Sequence, residues 1–164
     1  DMKRKRVNEF IELAKRFKDL RFEIIGRDVD DFLKNILDQY GGENVHYHGL
    51  MAPGDMIDIM SECDIHILPS RSEGFPRGII ECAAAGIPTI TYSDYGASEW
   101  MESFENGVVC DEFDQIEQAI ERYRNEPGLL ERNSDGAIKL ARRFSGKQVT
   151  DMYAEEIERL YAES

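Results

Sequence analysis

Short apolar segments alternate with longer amphipathic segments along this chain, and this alternation constrains the fold more than any other feature. Apolar residues recur at helical spacing from Val7 to Phe17, and residues 21–26 (RFEIIG) then form an apolar run closed by a glycine. These two patterns indicate a helix followed by a buried strand. Because strands that are apolar on both faces are typical of parallel sheets, the sequence predicts a doubly wound α/β fold with helices on both faces of a parallel sheet.

Proline and glycine set the boundaries of several later elements. Pro76 suits the first turn of a helix, since its missing amide needs no partner there, and Gly86 suits the exit, since glycine tolerates a positive φ. Gly41 and Gly42 end another helix. The predicted strands cover residues 44–49, 64–68, 87–92 and 107–110, and the predicted helices cover residues 30–40, 53–60, 76–85, 113–125, 128–143 and 147–162.

Length and composition exclude several classes of protein. A chain of 164 residues buries roughly 70% of its unfolded surface on folding. This suffices for one domain without disulfide bonds or structural metal ions. Cys63, Cys82 and Cys110 are spaced for neither a disulfide framework nor a zinc site, which favours a reducing compartment. Apolar runs stay far below the roughly 20 residues that cross a bilayer, and the charged N-terminus lacks the apolar segment of a signal peptide. We therefore expect a soluble cytoplasmic protein.

The charge of the chain is unevenly distributed. There are 33 acidic and 20 basic side chains, for a net charge of −13, yet residues 3–18 hold seven basic and two acidic residues. Residues 78–121 hold ten acidic residues and no lysine or arginine, a pattern typical of a solvated face. Because this acidic half would repel a polyanion, the composition argues against nucleic acid as a partner. One small phosphorylated ligand near the basic end is compatible with the pattern.

One segment after a predicted strand combines groups that suit ligand binding. Residues 69–77 (PSRSEGFPR) contain Glu73 and lead into the helix that carries Glu81. In doubly wound sheets, ligands bind beyond the carboxyl ends of the strands, where helix N-termini offer amides to anions. A carboxylate accepts hydrogen bonds from hydroxyls, each contributing about 1.5–3 kcal/mol. The combination suits a nucleotide sugar, and the alternative is a helix cap at Glu73 with a solvated Glu81.

The other polar and aromatic candidates favour structural roles. Arg71 and Arg77 flank the two glutamates and suit salt bridges better than phosphate binding. His46, His48 and His66 alternate through predicted strands without the spacing of a metal site, which favours positions in the core or at strand ends. The aromatic residues are scattered at periodic positions, which indicates packing and not a platform for stacking bases.

The longer string PSRSEGFPRGIIECAAAGIPTITY, residues 69–92, resembles the E-x7-E segment of retaining nucleotide-sugar glycosyltransferases with the GT-B fold, of the group 1 or family 4 type. That segment has a strand, Pro-Ser, a loop, Glu-Gly-Phe, a second Glu, small helical residues, Gly-x-Pro and a strand. Further family positions resemble His48-Gly49, Tyr95-Gly96, Glu99 and Asn106-Gly107. The resemblance extends from about residue 5 to residue 162 and implies a Rossmann-like domain, one half of a GT-B fold.

The resemblance also implies roles for individual residues. Glu73 would position the donor sugar through its hydroxyls, and Glu81 would bind the ribose hydroxyls of the nucleotide. A family lysine at the start of the first helix contacts the diphosphate, and Lys5 resembles it, with Lys3 and Arg4 as competing candidates and a frayed basic end as the structural alternative. The other implied donor contacts are Gly74 and Phe75 beside the diphosphate and sugar, and Gly26, Gly49 and Leu50 near the base. Arg77 stays a candidate for phosphate binding because of its position beside the glutamates, although a salt bridge is favoured.

The resemblance covers only the C-terminal, donor-binding half of such enzymes. It implies one domain over residues 1–164 that lacks its first strand and the N-terminal acceptor-binding domain, to which the family's final helix, here residues 145–161, crosses back. The implied parent transfers a sugar from a nucleoside diphosphate sugar to a glycan, lipid or other acceptor, as in polysaccharide biosynthesis. It would need no metal or other cofactor and would work peripherally at a membrane, whereas the fragment alone would be inactive.

Three alternatives remain open on the sequence. A non-catalytic sugar-nucleotide-binding module would keep the fold for assembly or regulation, but the intact Glu73 and Glu81 argue against it. A sugar-nucleotide epimerase shares the GT-B fold, but the Glu-Gly-Phe string disfavours it. A flavodoxin-like receiver domain fits the alternation of strands and helices but lacks the expected acidic cluster. Donor binding would discriminate against the first, and a product assay on the parent protein would discriminate against the second.

Overall fold

The computed structural model describes residues 4–28, 31–40 and 42–162. Lys3, Gly41 and the predicted helix start at residue 30 lie outside these ranges. Within them the chain forms five β-strands, seven α-helices and one short 3-10 helix, in an order that alternates strands and helices up to residue 125.

The strands form two parallel sheets. They are β1 (Phe22–Ile25), β2 (Val45–Gly49), β3 (His66–Leu68), β4 (Thr89–Tyr92) and β5 (Gly107–Cys110). β1 pairs with β2, and β4 lies between β3 and β5. The sequence predicts one parallel sheet, whereas among the described residues β1 and β3 do not pair, so the sheet is divided between them.

The helices begin and end close to the predicted positions. They are α1 (Val7–Arg16), α2 (Phe32–Tyr40), α3 (Pro53–Ser61), α4 (Arg77–Ala84), α5 (Phe113–Asn125), α6 (Leu129–Arg143) and α7 (Gly146–Ala162), with the 3-10 helix at Ala97–Glu99. Pro76 caps α4 from the position before its first residue, and Gly86 has a φ of +78° at the exit, as glycine favours. The 3-10 helix is too short for periodicity to predict.

Helices cover both faces of the three-stranded sheet. α1 and α5 pack against Ile90 and Tyr92 in one hydrophobic cluster, while α4 and α6 pack around Leu68 and Val109 in another. All four residues of β4 are buried because strands flank it on both sides and helices cover it above and below. This arrangement confirms the doubly wound α/β class. It also places the loops that follow β3 and β4 at the carboxyl end of the three-stranded sheet.

Candidate functional site

The candidate site is the loop of residues 69–76, which joins the carboxyl end of β3 to α4. Pro69 and Ser70 are buried at its start, and Pro76 is buried at its end. Between these anchors, residues 72, 74 and 75 are exposed. The loop is therefore held at both ends and presents its middle to solvent.

Glu73 is bound by basic residues from the start of the chain. Lys5 Nζ donates to Glu73 Oε1 at 2.5 Å, and Arg4 Nη1 lies 3.3 Å from Glu73 Oε2. Arg4 also donates to the carbonyl of Ser72 at 2.6 Å, and the Glu73 side chain is only 8% exposed. In sequence, Lys5 and Arg4 lie 68 and 69 positions before Glu73. Folding therefore creates a charged centre that neither segment forms alone.

Two opposing effects act on the pKa of Glu73. Burial raises this pKa, but hydrogen bonds from Lys5, Ser70 and Arg4, together with the Lys5 charge, outweigh burial and hold it below its ordinary value. Glu73 is therefore an ionised hydrogen-bond acceptor at neutral pH. This state suits the positioning of hydroxyl groups and not proton donation.

Ser70 belongs to the same centre and Tyr95 lies within reach of its charge, although the sequence indicates no role for either. Ser70 is completely buried and hydrogen-bonds to Glu73. The Tyr95 hydroxyl hydrogen-bonds with Thr91, which donates to the carbonyl of Leu68 at 2.9 Å. Burial raises the pKa of Tyr95 to about 12, the bond to Thr91 opposes this, and the Glu73 charge adds to it. Their sequence signal is the Pro-Ser and Tyr-Gly pairs at the two strand ends.

Glu81 lies on α4 and remains accessible. Its side chain is 45% exposed and accepts a hydrogen bond from Arg77 at 3.3 Å. Arg77 is 85% exposed, and surface pairs of this kind contribute about 0–1 kcal/mol, so a ligand can replace the pair at low cost. Glu81 and Lys5 line the same groove. Lys5 therefore borders the groove that Glu81 lines and also binds Glu73.

Gly74 and Phe75 form the exposed tip of the loop. A Cβ built on Gly74 would meet none of the described atoms within 4 Å, so its backbone is open to a ligand. The half-exposed Phe75 ring contacts the rings of Trp100 and Phe144, with centroids 5.7 and 5.3 Å apart. Periodicity predicts scattered packing positions for aromatic residues, whereas these three form one cluster at the rim of the site.

The three residues predicted near the base lie together at the end of the two-stranded sheet. The Gly26 N–H donates to the Gly49 carbonyl at 2.9 Å, and the Tyr47 hydroxyl donates to the Gly26 carbonyl at 2.9 Å. Gly49 has a φ of +72°, and the adjacent Leu50 is 70% exposed. The two strand ends therefore present an uncovered apolar side chain beside a glycine turn.

Arg71 holds the loop in place. Its guanidinium donates to Asp94 at 3.0 and 3.2 Å and to the Asp111 carbonyl at 2.9 Å, and it lies 3.9 Å from the centre of the Tyr92 ring. Arg71 forms a salt bridge as predicted, but its partner is Asp94 and not one of the two glutamates that it flanks in sequence. These contacts hold the loop against the segments that follow β4 and β5. Because Asp94 pairs with the guanidinium, the charge of Arg71 is compensated within the protein.

The three histidines differ in their surroundings. His48 pairs with Glu23 on the neighbouring strand, the ring of His66 lies 3.0 Å from Thr89 Oγ1, and His46 is exposed. Burial lowers the pKa of His66 to about 4, so that it is neutral at pH 7. Nowhere in ranges 4–28, 31–40 and 42–162 do three or more His, Cys, Asp or Glu side chains gather as metal ligands would. The helices in those ranges are also too short or too polar to span a membrane.

Comparison with known sequences places this geometry in context. The family model described as glycosyl transferases group 1 matches residues 2–140. Over 105 residues, the chain is 31% identical to N,N'-diacetylbacillosaminyl-diphospho-undecaprenol alpha-1,3-N-acetylgalactosaminyltransferase from Campylobacter jejuni, a match that covers 63% of this chain and 27% of that enzyme. The chain is thus similar to about a quarter of the length of this relative.

Two solved structures share the fold. The C-terminal domain of the glycosyl transferase group 1 family protein LpcC from Francisella tularensis has a TM-score of 0.73 at 20% identity, over 90% of this chain and 82% of that one. Anabaena Alr3699/HepE in complex with UDP-glucose has a TM-score of 0.80 at 22% identity, over 94% of this chain and 45% of that one. The Rossmann-like fold of one GT-B half is thereby confirmed.

Proposed function

Because the chain belongs to the group 1 glycosyltransferase family, we propose that it is the donor-binding domain of an enzyme that transfers a sugar from a nucleoside diphosphate sugar to a glycan, lipid or other acceptor, with retention of configuration. The observation that carries the proposal is the ionised Glu73 beside Lys5, in the loop that leads to the N-terminus of α4. This arrangement supplies an acceptor for sugar hydroxyls close to positive charge for a diphosphate.

Glu73 positions the donor sugar in this proposal. Its carboxylate is ionised and accepts hydrogen bonds only, which matches a sugar that offers hydroxyl donors. The buried Ser70 and the anchored loop hold the carboxylate in one orientation, so little conformational entropy is lost when a sugar binds. The role is positioning, and the proposal assigns Glu73 no covalent bond to the sugar.

The diphosphate lies between Lys5 and the first turn of α4. The leading amides of a helix have no partner within the helix and lie at the positive end of its dipole, so they favour an anion. Lys5 is 37% exposed and can exchange its bond with Glu73 for one with phosphate. When the glycosidic bond breaks, negative charge develops on the leaving diphosphate, and these groups stabilise it. Lys5 and Arg4 supply the positive charge, so no metal or other cofactor is included.

Glu81 binds the ribose hydroxyls, and the ends of β1 and β2 face the base. The exposure of Glu81 and its weak surface pair with Arg77 support a carboxylate that can change partners. Leu50, exposed beside Gly49, offers an apolar surface to a planar base. Gly74 and Phe75 contribute backbone amides at the open tip of the loop.

The acceptor requires a second domain. The chain spans 27% of the Campylobacter relative and 45% of the Anabaena chain. We therefore assign acceptor binding to an N-terminal domain of a longer parent and expect residues 1–164 alone to bind donor without transferring sugar. We further propose, from the sequence pattern alone, that the parent is a cytoplasmic enzyme acting peripherally at a membrane.

Calorimetric titration of the 164-residue chain with UDP, GDP, ADP and UDP-glucose tests the donor assignment. Because charge-assisted hydrogen bonds contribute about 1.5–3 kcal/mol, Glu81→Gln should weaken the bound nucleoside diphosphate and its sugar alike, by about 10- to 150-fold. Glu73→Gln should weaken the nucleotide sugar more than the free diphosphate. Glu126→Gln is the matched control, since Glu126 forms an i, i+4 pair with Arg122 on α5 as Glu81 does with Arg77.

Equal losses of free diphosphate affinity in the Glu73 and Glu81 variants would contradict the two roles. A loss of the same size in the Glu126 variant would assign the effect to the net charge of the protein. For the parent enzyme, NMR of the product reports the anomeric configuration, and an inverted product would contradict retention.

A further inference from the structure

The turn that leads into α1 has a backbone conformation that is rare for a residue with a side chain. Arg6, directly before α1, has a φ of +51° and a ψ of +42°. A residue with a Cβ adopts this left-handed conformation only at a cost in free energy, so other contacts must hold it. The conformation sets the direction in which the chain leaves α1 towards Lys5 and Arg4, which both reach Glu73.

Glu9, in the first turn of α1, binds Arg6 through both its side chain and its backbone. The Arg6 guanidinium donates to Glu9 Oε1, and the Glu9 N–H donates to the Arg6 carbonyl at 2.9 Å. The Glu9 side chain is only 12% exposed. A carboxylate in the first turn also lies at the positive end of the helix dipole, which favours its ionised form. The turn is therefore held from within α1.

A buried hydroxyl from the sheet binds the second oxygen of the Glu9 carboxylate. Tyr92, the last residue of β4, donates its hydroxyl to Glu9 Oε2 at 2.8 Å. The Tyr92 side chain is completely buried. Burial, the hydrogen bond to Glu9 and the charge of Glu9 all raise the pKa of this hydroxyl, so it stays a donor at neutral pH. Both oxygens of Glu9 thus have fixed partners, one in the turn and one in the sheet.

The ring of the same tyrosine contacts the loop that carries Glu73. The Arg71 guanidinium of this loop lies 3.9 Å from the centre of the Tyr92 ring, and Asp94 holds Arg71 there. Tyr92 therefore contacts the loop through its ring and α1 through its hydroxyl. The acidic and the basic half of the charged centre, Glu73 and Lys5, come from distant segments that share this one buried support.

We propose that Glu9 and Tyr92 are positioning residues for the diphosphate site, because they hold the turn that places Lys5. Neither residue needs to contact the donor, since each acts through Arg6. The proposal rests on the proposed function, because it concerns the lysine assigned there to the diphosphate. If the turn relaxes, Lys5 occupies its position in only a fraction of the molecules, and the apparent affinity for the diphosphate falls by that fraction.

Tyr92→Phe tests the role of the hydroxyl, because it removes one oxygen atom and keeps the ring beside Arg71. In calorimetric titration of the 164-residue chain, we expect UDP to bind about 3- to 10-fold more weakly, as the loss of one hydrogen bond predicts. Tyr123→Phe is the matched control, since the buried Tyr123 hydroxyl donates to Asn133 on α6 at 2.9 Å. This control should lower the free energy of unfolding in the same way and leave the affinity for UDP unchanged.

Substitutions of Glu9 separate an effect of position from an effect of charge. By electrostatics alone, loss of a negative charge close to Lys5 would strengthen the binding of an anion. If Glu9 holds the turn, Glu9→Ala instead weakens UDP binding about 3- to 10-fold. Glu9→Gln should retain most of the affinity, because its amide oxygen still accepts hydrogen bonds from Arg6 and Tyr92. Glu12→Ala, which removes the same charge one turn later on α1, should not weaken UDP binding.

A measurement without ligand separates this proposal from the donor assignment. Burial raises the pKa of Glu73, and the hydrogen bond and charge of Lys5 lower it. Displacement of Lys5 in Tyr92→Phe and Glu9→Ala should therefore raise the pKa of the Glu73 carboxyl, followed by carbon NMR. A raised pKa in a chain that binds no nucleotide would support the positioning role and contradict the donor assignment alone.

Three results would overturn the positioning role. The first is an unchanged pKa of Glu73 in both variants, since Lys5 would then keep its place without them. The second is stronger binding of UDP by Glu9→Ala, since Glu9 would then act through its charge. The third is an equal loss of UDP affinity in Tyr123→Phe, since the effect would then follow from general destabilisation.

Discussion

Gly136 lies in the middle of α6, where helix propensity alone favours alanine by about 1 kcal/mol. In the folded protein, a Cβ on Gly136 would lie 1.8 Å from the carbonyl oxygen of Glu105 and 2.8 Å from its carbonyl carbon. Because this neighbour is backbone, no side-chain rotation relieves the clash. We predict that Gly136→Ala destabilises the protein despite the better helix former.

The magnitude follows from how α6 is held. Relief of the clash requires α6 to move more than about 1 Å away from residues 104–106. Asn133 of α6 donates to the Phe104 carbonyl at 2.7 Å, and Tyr123 donates to Asn133 at 2.9 Å. Overpacking costs about 1–3 kcal/mol, and a strained buried hydrogen bond adds about 1–3 kcal/mol. Set against the gain in propensity, the free energy of unfolding should fall by about 1–5 kcal/mol.

Urea unfolding followed by circular dichroism measures this change. In thermal unfolding followed by the same signal, the melting temperature should fall by roughly 2–20 °C, given about 2–4 °C per kcal/mol for a chain of this size. Gly54→Ala in α3 is the control, because a Cβ there meets none of the described atoms within 4 Å, and it should stabilise by about 0.4–1 kcal/mol. A Gly136→Ala variant as stable as the unaltered protein would refute the close approach of α6 to the Glu105 carbonyl.

Three further perturbations test the site and its supports. The pKa of His66 in the folded protein is about 4, below its ordinary 6.5, so the unfolded state binds a proton first as the pH falls. The free energy of unfolding should therefore fall by about 2 kcal/mol between pH 7.5 and 5.0. In urea titrations at the two pH values, His66→Asn should remove that loss. Asn44→Ala removes three hydrogen bonds to carbonyls around the end of α1 and should lower the free energy of unfolding by about 1–3 kcal/mol in the same urea titrations. The control is Asn125→Ala at the surface, which should change this free energy by less than about 0.5 kcal/mol. Lys5→Met should raise the pKa of Glu73, measured by carbon NMR of its carboxyl group, and an unchanged pKa would contradict their pairing.

Local sequence patterns were sufficient for the helices and strands. Pro76 and Gly86 bracket α4 because backbone φ preferences belong to single residues, and the eight-residue spacing of Glu73 and Glu81 predicted one loop and one helical carboxylate. The predicted boundaries agree with the observed elements within two residues where the structure describes them. Such features depend on neighbours in sequence, so the sequence carries them directly.

The environment of the site was less predictable. In sequence, Arg4 and Lys5 are equivalent members of a basic run, and only folding brings both to Glu73. Ser70 is completely buried beside Glu73, and the Glu73 charge acts on Tyr95, but the Pro-Ser and Tyr-Gly pairs that mark these positions in the sequence do not report either relation. Their contribution depends on distances between segments that are separated along the chain.

By itself, the sequence determined the parallel α/β class, the positions of its elements and the two glutamates of the candidate site. Tertiary structure alone decided that Lys5 lies 2.5 Å from Glu73, that Gly136 admits no side chain, and that β1 and β3 leave a groove between them. Periodicity and turn preferences are set by neighbouring residues, whereas charge pairing, close backbone approach and strand pairing depend on where distant segments meet.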